Sequence, residues 1–269
     1  MNLISSHSNP KIKLARLLRQ RKYRQETGLA LVEGIHHVGQ AVEAAATPEA
    51  RLVIITIFYS PDLLTSEYAT GLIEQQSQLG VPCLATSRSV FENIADKENP
   101  QGILAIVRPQ QPSLAQLSAA NFPWGVALVA AQDPGNIGTI LRTIDAVSAS
   151  GLLLLDGCAD PYHPSSVRAS MGAIFWYPVI QTSFAEFAGW SEQNGYHLYG
   201  TSAHGSTDYR QISRYPRPLI LLLGSEREGL SDAHLARCQG VIRLPMRGRV
   251  SSLNLAVAAG VLLYEMMAR

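Results

Sequence analysis

Leu219-Ile220-Leu221-Leu222-Leu223 is continuously apolar and runs directly into Gly224-Ser225-Glu226-Arg227-Glu228-Gly229-Leu230-Ser231. A strand with one solvated face alternates apolar and polar residues, whereas an unbroken run marks a strand covered on both faces, as in a parallel sheet flanked by helices. The pattern extends outward from it. Residues 126–131, 152–155, 196–200 and 241–244 read as further strands, with helices at 137–149 and 165–175. The chain closes on a helix from about residue 253 to 267, where Leu255, Ala258, Ala259, Leu262 and Met266 recur at helical steps. Ser251 or Ser252 can cap its first turn. Val257, Val261 and Leu263 lie off the main stripe, so this helix should be covered on more than one side. The expected class is α/β with a mostly parallel sheet.

Upstream lies a second, smaller series. Asn9-Pro10 is an N-cap followed by proline at the first helical position, and 9–24 reads as one basic helix. Lys11, Lys13, Arg16, Arg19, Arg21, Lys22 and Arg24 all precede the first acidic residue, Glu26. A mixed charge run is usually a solvated face, but cations without counter-charges repel one another and favour an anionic partner such as an RNA backbone. Strands at 29–32, 52–58, 81–85 and 103–107 alternate with helices at 35–46, from Pro61-Asp62 to about Leu79, and around Phe91 and Ile94. His36 and His37 are adjacent on a helix and cannot jointly hold a metal, so packing or solvent explains them. Arg108-Pro109-Gln110-Gln111-Pro112 breaks the series. The expected division is a small domain at 1–108, a linker at 109–122 and a second domain at 123–269.

Global properties narrow the classes. The 269 residues carry a formal net charge of only +1, so any nucleic-acid role must rest on local clusters. Cys83, Cys158 and Cys238 lie far apart without C-x-x-C spacing, which argues against a disulfide framework or a zinc site, and no metal is expected. The start is polar, and no apolar run approaches the roughly 18 residues of a membrane span, so a cytoplasmic protein without a membrane partner is expected.

Ligands of a parallel sheet gather beyond the carboxyl ends of its strands, which makes the exit loops informative. Gln132-Asp133-Pro134-Gly135-Asn136-Ile137-Gly138 opens a helix carrying Arg142, which can reach back toward a phosphate or pair with Asp145. Tyr162-His163-Pro164-Ser165-Ser166-Val167-Arg168 offers Arg168 at another helix start, and a lone His163 is more often solvated or packed than functional. The 224–231 loop sets Glu226 and Glu228 around Arg227, with Ser231 as a helix cap. Leu244-Pro245-Met246-Arg247-Gly248-Arg249-Val250-Ser251-Ser252-Leu253-Asn254 holds more polar groups than capping needs. Dinucleotide, P-loop and nucleophile-elbow fingerprints are all missing.

Together these loops resemble the three motifs of the SpoU-type (TrmH) branch of the SPOUT RNA methyltransferases. Asn136-Ile137-Gly138-Thr139-Ile140-Leu141-Arg142 is similar to the first motif, Leu223 to Ser231 to the second, and Leu244 to Asn254 to the third, with Val167-Arg168-Ala169-Ser170-Met171-Gly172-Ala173 between the first two. Leu31-Val32-Glu33-Gly34 resembles part of the small RNA-binding domain that precedes many members. The resemblance implies a trefoil-knotted C-terminal domain, a homodimer, and S-adenosylmethionine as methyl donor to a ribose 2′-hydroxyl of ribosomal RNA or tRNA. It makes Thr201, Gly224, Leu244 and Leu253 the cofactor cradle, and sets Asn136, Arg142, Glu226, Ser252 and Asn254 around the reacting hydroxyl. Lys11, Lys13, Arg16, Arg19 and Arg168 are the expected RNA contacts.

A guanidinium ordinarily keeps its proton, so Arg142 either donates to a phosphate and stabilises a developing oxyanion, or acts as base only in an unusually cation-rich site. Glu226 would orient Arg142 or Asn136. Two rivals remain: a catalytically inactive RNA-binding ribosome-assembly protein of the same fold, and a nucleotide-dependent oxidoreductase, which the missing glycine fingerprint disfavours.

Overall fold

The computed structural model describes residues 3–110 and 112–269. The chain packs as two units, Met1–Gln110 with Tyr162–Trp176, and Gln111–Pro161 with Tyr177–Arg269. Sequence alone leaves Tyr162–Trp176 inside the second domain; in the structure it packs with the first unit.

In the first unit the expected single basic helix is two. α1 (Pro10–Leu17) starts where Asn9 Oδ1 accepts the Lys11 amide at 2.9 Å, and α2 (Arg21–Thr27) follows an extended Gln20. Arg24 explains the break. Only 5% exposed, it turns inward, and its Nη1 donates to Leu18 O and Arg19 O at 2.8 Å each, carbonyls the interruption leaves free. One of the seven cations is therefore structural. The chain continues through β1 (Ala30–Glu33), α3 (Ile35–Ala45), β2 (Leu52–Tyr59), α4 (Glu67–Gln78), β3 (Cys83–Ala85), α5 (Arg88–Ile94) and β4 (Ile103–Pro109). α4 begins later than Pro61. Leu63 and Leu64 donate to Ser60 O in a preceding turn, which packs so closely on Gly102 that no side chain fits there, and Ser66 caps the helix instead. The sheet runs β1-β4-β2-β3, with β4 antiparallel to both neighbours and β3 parallel to β2. Ile12, Leu18, Phe58, Phe91 and Leu104 form its core.

The second unit holds a seven-stranded sheet in the order β7-β6-β5-β10-β8-β11-β9, with every neighbouring pair parallel. The chain runs through β5 (Trp124–Val129), α6 (Pro134–Ala146) and β6 (Leu152–Leu155) of this unit, then through α7 (Pro164–Ala169), which belongs to the first unit. β7 (Val179–Thr182), α8 (Phe184–Gln193), β8 (His197–Thr201), β9 (Thr207–Asp208), β10 (Leu219–Leu223), α9 (Asp232–Leu235), β11 (Gly240–Arg243) and α10 (Leu255–Ala268) follow. No residue of β10 is more than 1% exposed, as its unbroken apolar run requires. One core cluster joins Phe122, Leu153, Phe187, Trp190, Ile220 and Leu222. Elsewhere α10 packs on α6 and buries Leu262, Leu263 and Met266. Leu263 is therefore core. The stripe that stays exposed is Val257, Val261, Tyr264 and Met267, at 39–52%. The cap of α10 is Asn254 rather than Ser251 or Ser252, because its Oδ1 takes the amides of Ala256 at 2.9 Å and Val257 at 3.3 Å. Ser231 caps α9 as expected.

Two buried tyrosines in this unit predict an alkaline weakness. Tyr196, whose hydroxyl donates to Phe122 O at 2.7 Å, and Tyr215 are each 3% exposed, and burial pushes both pKa values up to about 12. Unfolded tyrosines release their protons near pH 10, so from there to pH 12 the native state binds more protons than the unfolded one. Stability complete below pH 10 should fall as the pH climbs toward 12. Tyr196→Phe should lower neutral stability by about 1–3 kcal/mol, since Phe122 O is left buried and unpaired, and should flatten the alkaline decline. Denaturant melts from neutral to alkaline pH check this; a Tyr196→Phe decline as steep as wild type contradicts it.

Candidate active site

Three exit loops meet in the second unit. The first leaves β5. Asp133 Oδ1 accepts the Gly135 amide at 2.7 Å and caps α6, which places Asn136 in the first turn, 6% exposed. The second leaves β10 through Gly224, where a Cβ would overlap the main chain of Gly229 and Leu230. The loop then turns tightly. Gly229, at φ 68°, donates to Ser225 O at 3.0 Å, and Glu228 N donates to Ser225 Oγ at 3.1 Å. Glu226 stands on this turn. The third loop follows β11 and ends at Asn254.

Side chains from these loops form one directed chain of hydrogen bonds. Asn136 Nδ2 donates to Glu226 Oε1 at 2.9 Å, and the amides of Gln132 and Asp133 donate to the same carboxylate at 3.3 and 3.4 Å. Asn254 Nδ2 donates to Asn136 Oδ1 at 3.0 Å. Burial alone would raise the Glu226 pKa. The Asn136 amide and the main-chain donors outweigh it and hold Glu226 below the ordinary carboxylate value. Glu226 is thus ionised at neutral pH and accepts only. Sequence left open whether it orients Arg142 or Asn136; it bonds Asn136.

The other residues singled out by sequence fall into groups. Arg142 lies on α6, exposed and without a hydrogen-bond or ion-pair partner among the described residues. The competing pair with Asp145 is absent: no ion pair joins the two, and burial, with the Asp145 carboxylate nearby, raises the Tyr177 pKa. Ser252 is exposed and makes no bond to the Asn136 chain. Thr201 ends β8, Gly224 follows β10 and Leu244 follows β11, three strands adjacent in the order β10-β8-β11. Leu244 and Leu253 lie just outside β11 and α10, where ladder and helix bonds do not consume main-chain groups. A threonine, a glycine and two leucines offer main-chain hydrogen bonds and apolar contact, and none of the four has a carboxylate, imidazole or thiol to hold a metal.

The basic residues divide as well. Lys11, Lys13 and Arg16 are exposed on α1. Arg19 and Arg168, by contrast, share Asp96 at 3.3 and 2.6 Å, and Arg168 above all, helped by Arg19, holds that carboxyl below its usual range despite partial burial. His163 caps α7 by accepting the Ser165 amide at 3.2 Å. His36 and His37 donate from Nε2 to Met171 O and Arg168 O at 3.2 and 3.3 Å, so both pack locally in the first unit. Sequence reasoning missed the main-chain donors at Gln132 and Asp133. The only sign of them was their place in the glycine-rich loop before α6.

Comparison with known proteins agrees with this geometry. The SpoU rRNA Methylase family model matches residues 123–264, and the MRM3-like substrate binding domain model matches 9–105. The chain is 29% identical over 266 residues, 99% of each protein, to the 23S rRNA (guanosine(2553)-2′-O)-methyltransferase RlmP of Bacillus subtilis. It is 32% identical over 256 residues, 93% of this chain and 86% of the relative, to the 23S rRNA (uridine(2479)-2′-O)-methyltransferase of Streptomyces viridochromogenes. Among solved structures, the AdoMet-bound rRNA methyltransferase of Sinorhizobium meliloti superposes with a TM-score of 0.88 at 31% identity, over 99% of this chain and 97% of that one. With a family model over more than half its length and full-length relatives on the same fold, this chain belongs to the SpoU rRNA methylase family.

Proposed function

We propose that this protein transfers the methyl group of S-adenosylmethionine to a ribose 2′-hydroxyl of ribosomal RNA. The observation that carries the reading is the Asn254–Asn136–Glu226 chain at the strand ends, with Arg142, a guanidinium without a partner among the described residues, on the same α6. Relatives named as 23S rRNA 2′-O-methyltransferases and an AdoMet-bound neighbour support it. Bound S-adenosylmethionine supplies an electrophilic methyl group. Main-chain groups around Thr201, Gly224, Leu244 and Leu253 would hold it, and the close turn at Gly224 keeps that strand end free of side chains. Asn136, oriented by Glu226 and Asn254, and Ser252 position the hydroxyl, and much of the acceleration comes from fixing that alignment. The hydroxyl gives up its proton to solvent as it takes the methyl group, and Arg142 donates to the neighbouring phosphate or to the developing oxyanion.

Three finer assignments belong to the same reading. The basic α1 gives residues 1–108 the RNA affinity, and the MRM3-like substrate binding match over 9–105 supports this. A homodimer forms through the exposed Val257, Val261, Tyr264 and Met267 stripe of α10, since an apolar face at helical spacing calls for a cover. A trefoil knot accounts for a chain that leaves β11, near one end of the sheet, yet returns to pack α10 on the helix that follows β5. Ribosomal RNA as substrate puts the work in the cytoplasm. No helix among the described residues is long and apolar enough to cross a membrane.

Three outcomes are expected. Calorimetry should show that wild type and Arg142→Ala bind S-adenosylmethionine within a few-fold of each other, while single-turnover transfer to ribosomal RNA falls by about 10² to 10⁴ in the variant and recovers poorly in Arg142→Lys. Wild type that binds ribosomal RNA but no S-adenosylmethionine would instead fit an assembly protein without catalysis. Replacing Lys11, Lys13 and Arg16 together by Glu should weaken RNA binding and make its log–log salt dependence shallower by about 0.7 per lost single-strand contact; unchanged affinity removes α1 from the interface. Val257→Asp with Tyr264→Asp should sediment as a monomer where wild type is a dimer at micromolar concentration, and a wild-type monomer that methylates RNA rejects the dimer.

A further inference from the structure

Beside the Asn136 side chain, Glu226 accepts from the main-chain amides of Gln132 and Asp133, and such amides aim only where the backbone turns them. The backbone here turns unusually. β5 ends at Val129, and Ala130 follows at φ 51°, in the left-handed region that a Cβ disfavours. The Gln132 side chain closes over this turn. Its Nε2 donates to Ala130 O at 2.8 Å and to Gly157 O at 3.4 Å. Gly157 belongs to the loop leaving β6, the strand beside β5. The turn is also tied to the β6 side by Ala130 N on Leu155 O at 2.9 Å, Ala131 N on Cys158 Sγ at 3.3 Å and Ala159 N on Ala131 O at 2.8 Å. None of those bonds reaches the Ala130 carbonyl, which Gln132 holds.

We propose that Gln132 is a positioning residue for methyl transfer: its amide clamps the left-handed turn at Ala130 and thereby fixes the two main-chain donors that hold Glu226 against Asn136. Gln132 touches neither substrate nor cofactor in this role. Without the clamp, Ala130 relaxes toward an ordinary conformation, the amides of Gln132 and Asp133 swing off the carboxylate, and Asn136 loses its fixed acceptor. Against burial, the Asn136 amide and Glu226's own main-chain amide lower the Glu226 pKa most and the amides of Gln132 and Asp133 add to them, so the value should rise when this support is lost. This inference rests on the methyl-transfer reading of the site, and a measurement without chemistry separates the two.

Gln132→Met keeps the side-chain length and removes the donor. In the full-length protein it should slow single-turnover transfer by about 10- to 100-fold, the scale of a misplaced catalytic group, while S-adenosylmethionine affinity stays within a few-fold. The Glu226 titration, followed by NMR of carbon-13-labelled glutamate side chains, should move to higher pH, and the acid limb of the pH–rate profile should move with it. Adding Ala130→Gly should restore most of the rate, because glycine takes positive φ without a Cβ penalty. A folded Gln132→Met protein with wild-type rate and an unmoved Glu226 titration overturns the proposal. So does a double variant no faster than Gln132→Met alone. Should Gln132→Met fail to fold, Gln132→Asn, a methylene shorter, is read against the same two outcomes. If wild type transfers no methyl group, the methyl-transfer reading fails, while the Glu226 titration in the variant still decides whether Gln132 fixes the carboxylate.

Discussion

Glu226 carries a charge that accepts hydrogen bonds and donates none, so every group meeting it has its direction imposed. Asn136 must turn Nδ2 toward the carboxylate, which leaves Oδ1 for Asn254; Asn254 must then donate, which leaves its own Oδ1 for the first turn of α10. The start of the closing helix and the acid are thus ends of one chain, although their members lie 90 and 118 residues from Asn136 in sequence. Only a parallel sheet brings such distant exits to one edge, because every strand delivers its loop at the same end. β10 lies between β5 and β8, and its burial on both faces fixes the stage on which the loops meet.

What the sequence made legible was whatever depends on periodicity or local caps. The unbroken apolar run of β10, the Asn9-Pro10 helix start and the Ser231 cap each carry their cause within a few residues, and the structure agrees with all three. The failures have remote causes. Nothing near residues 18–20 announces a break, because the stabilising group is a guanidinium that doubles back from Arg24. Ser251 and Ser252 are as suitable for capping as Asn254 by composition; Asn254 holds the position because its amide also bonds Asn136, contributed by another loop. The site residues came mainly through motif resemblance, which named Asn136, Glu226 and Asn254 without the direction of the bonds between them.

Charge is distributed by task rather than in bulk. A net charge of +1 conceals a basic stretch that spans α1 and α2, and even there the cations have different fates. Arg24 satisfies carbonyls and Arg19 meets Asp96, while Lys11, Lys13 and Arg16 face solvent. Arg168, on α7, takes the other oxygen of Asp96. Counting basic residues therefore overstates the surface open to an anionic polymer, and burial and pairing must be known before a local cluster is read as an interface.

The grouping of Tyr162–Trp176 with the first unit also bears on the order of synthesis. Chains fold as they emerge, amino terminus first, and the first 110 residues leave the ribosome with one piece of their unit missing. Until residue 176 follows, His37 lacks its carbonyl partner at Arg168, Asp96 has Arg19 but not Arg168, and the face of β1 that packs with α7 stands open. By then β5, α6 and β6 have already been made. The small unit is thus finished by a segment borrowed from the middle of the large one, and neither can be born complete before the other has begun.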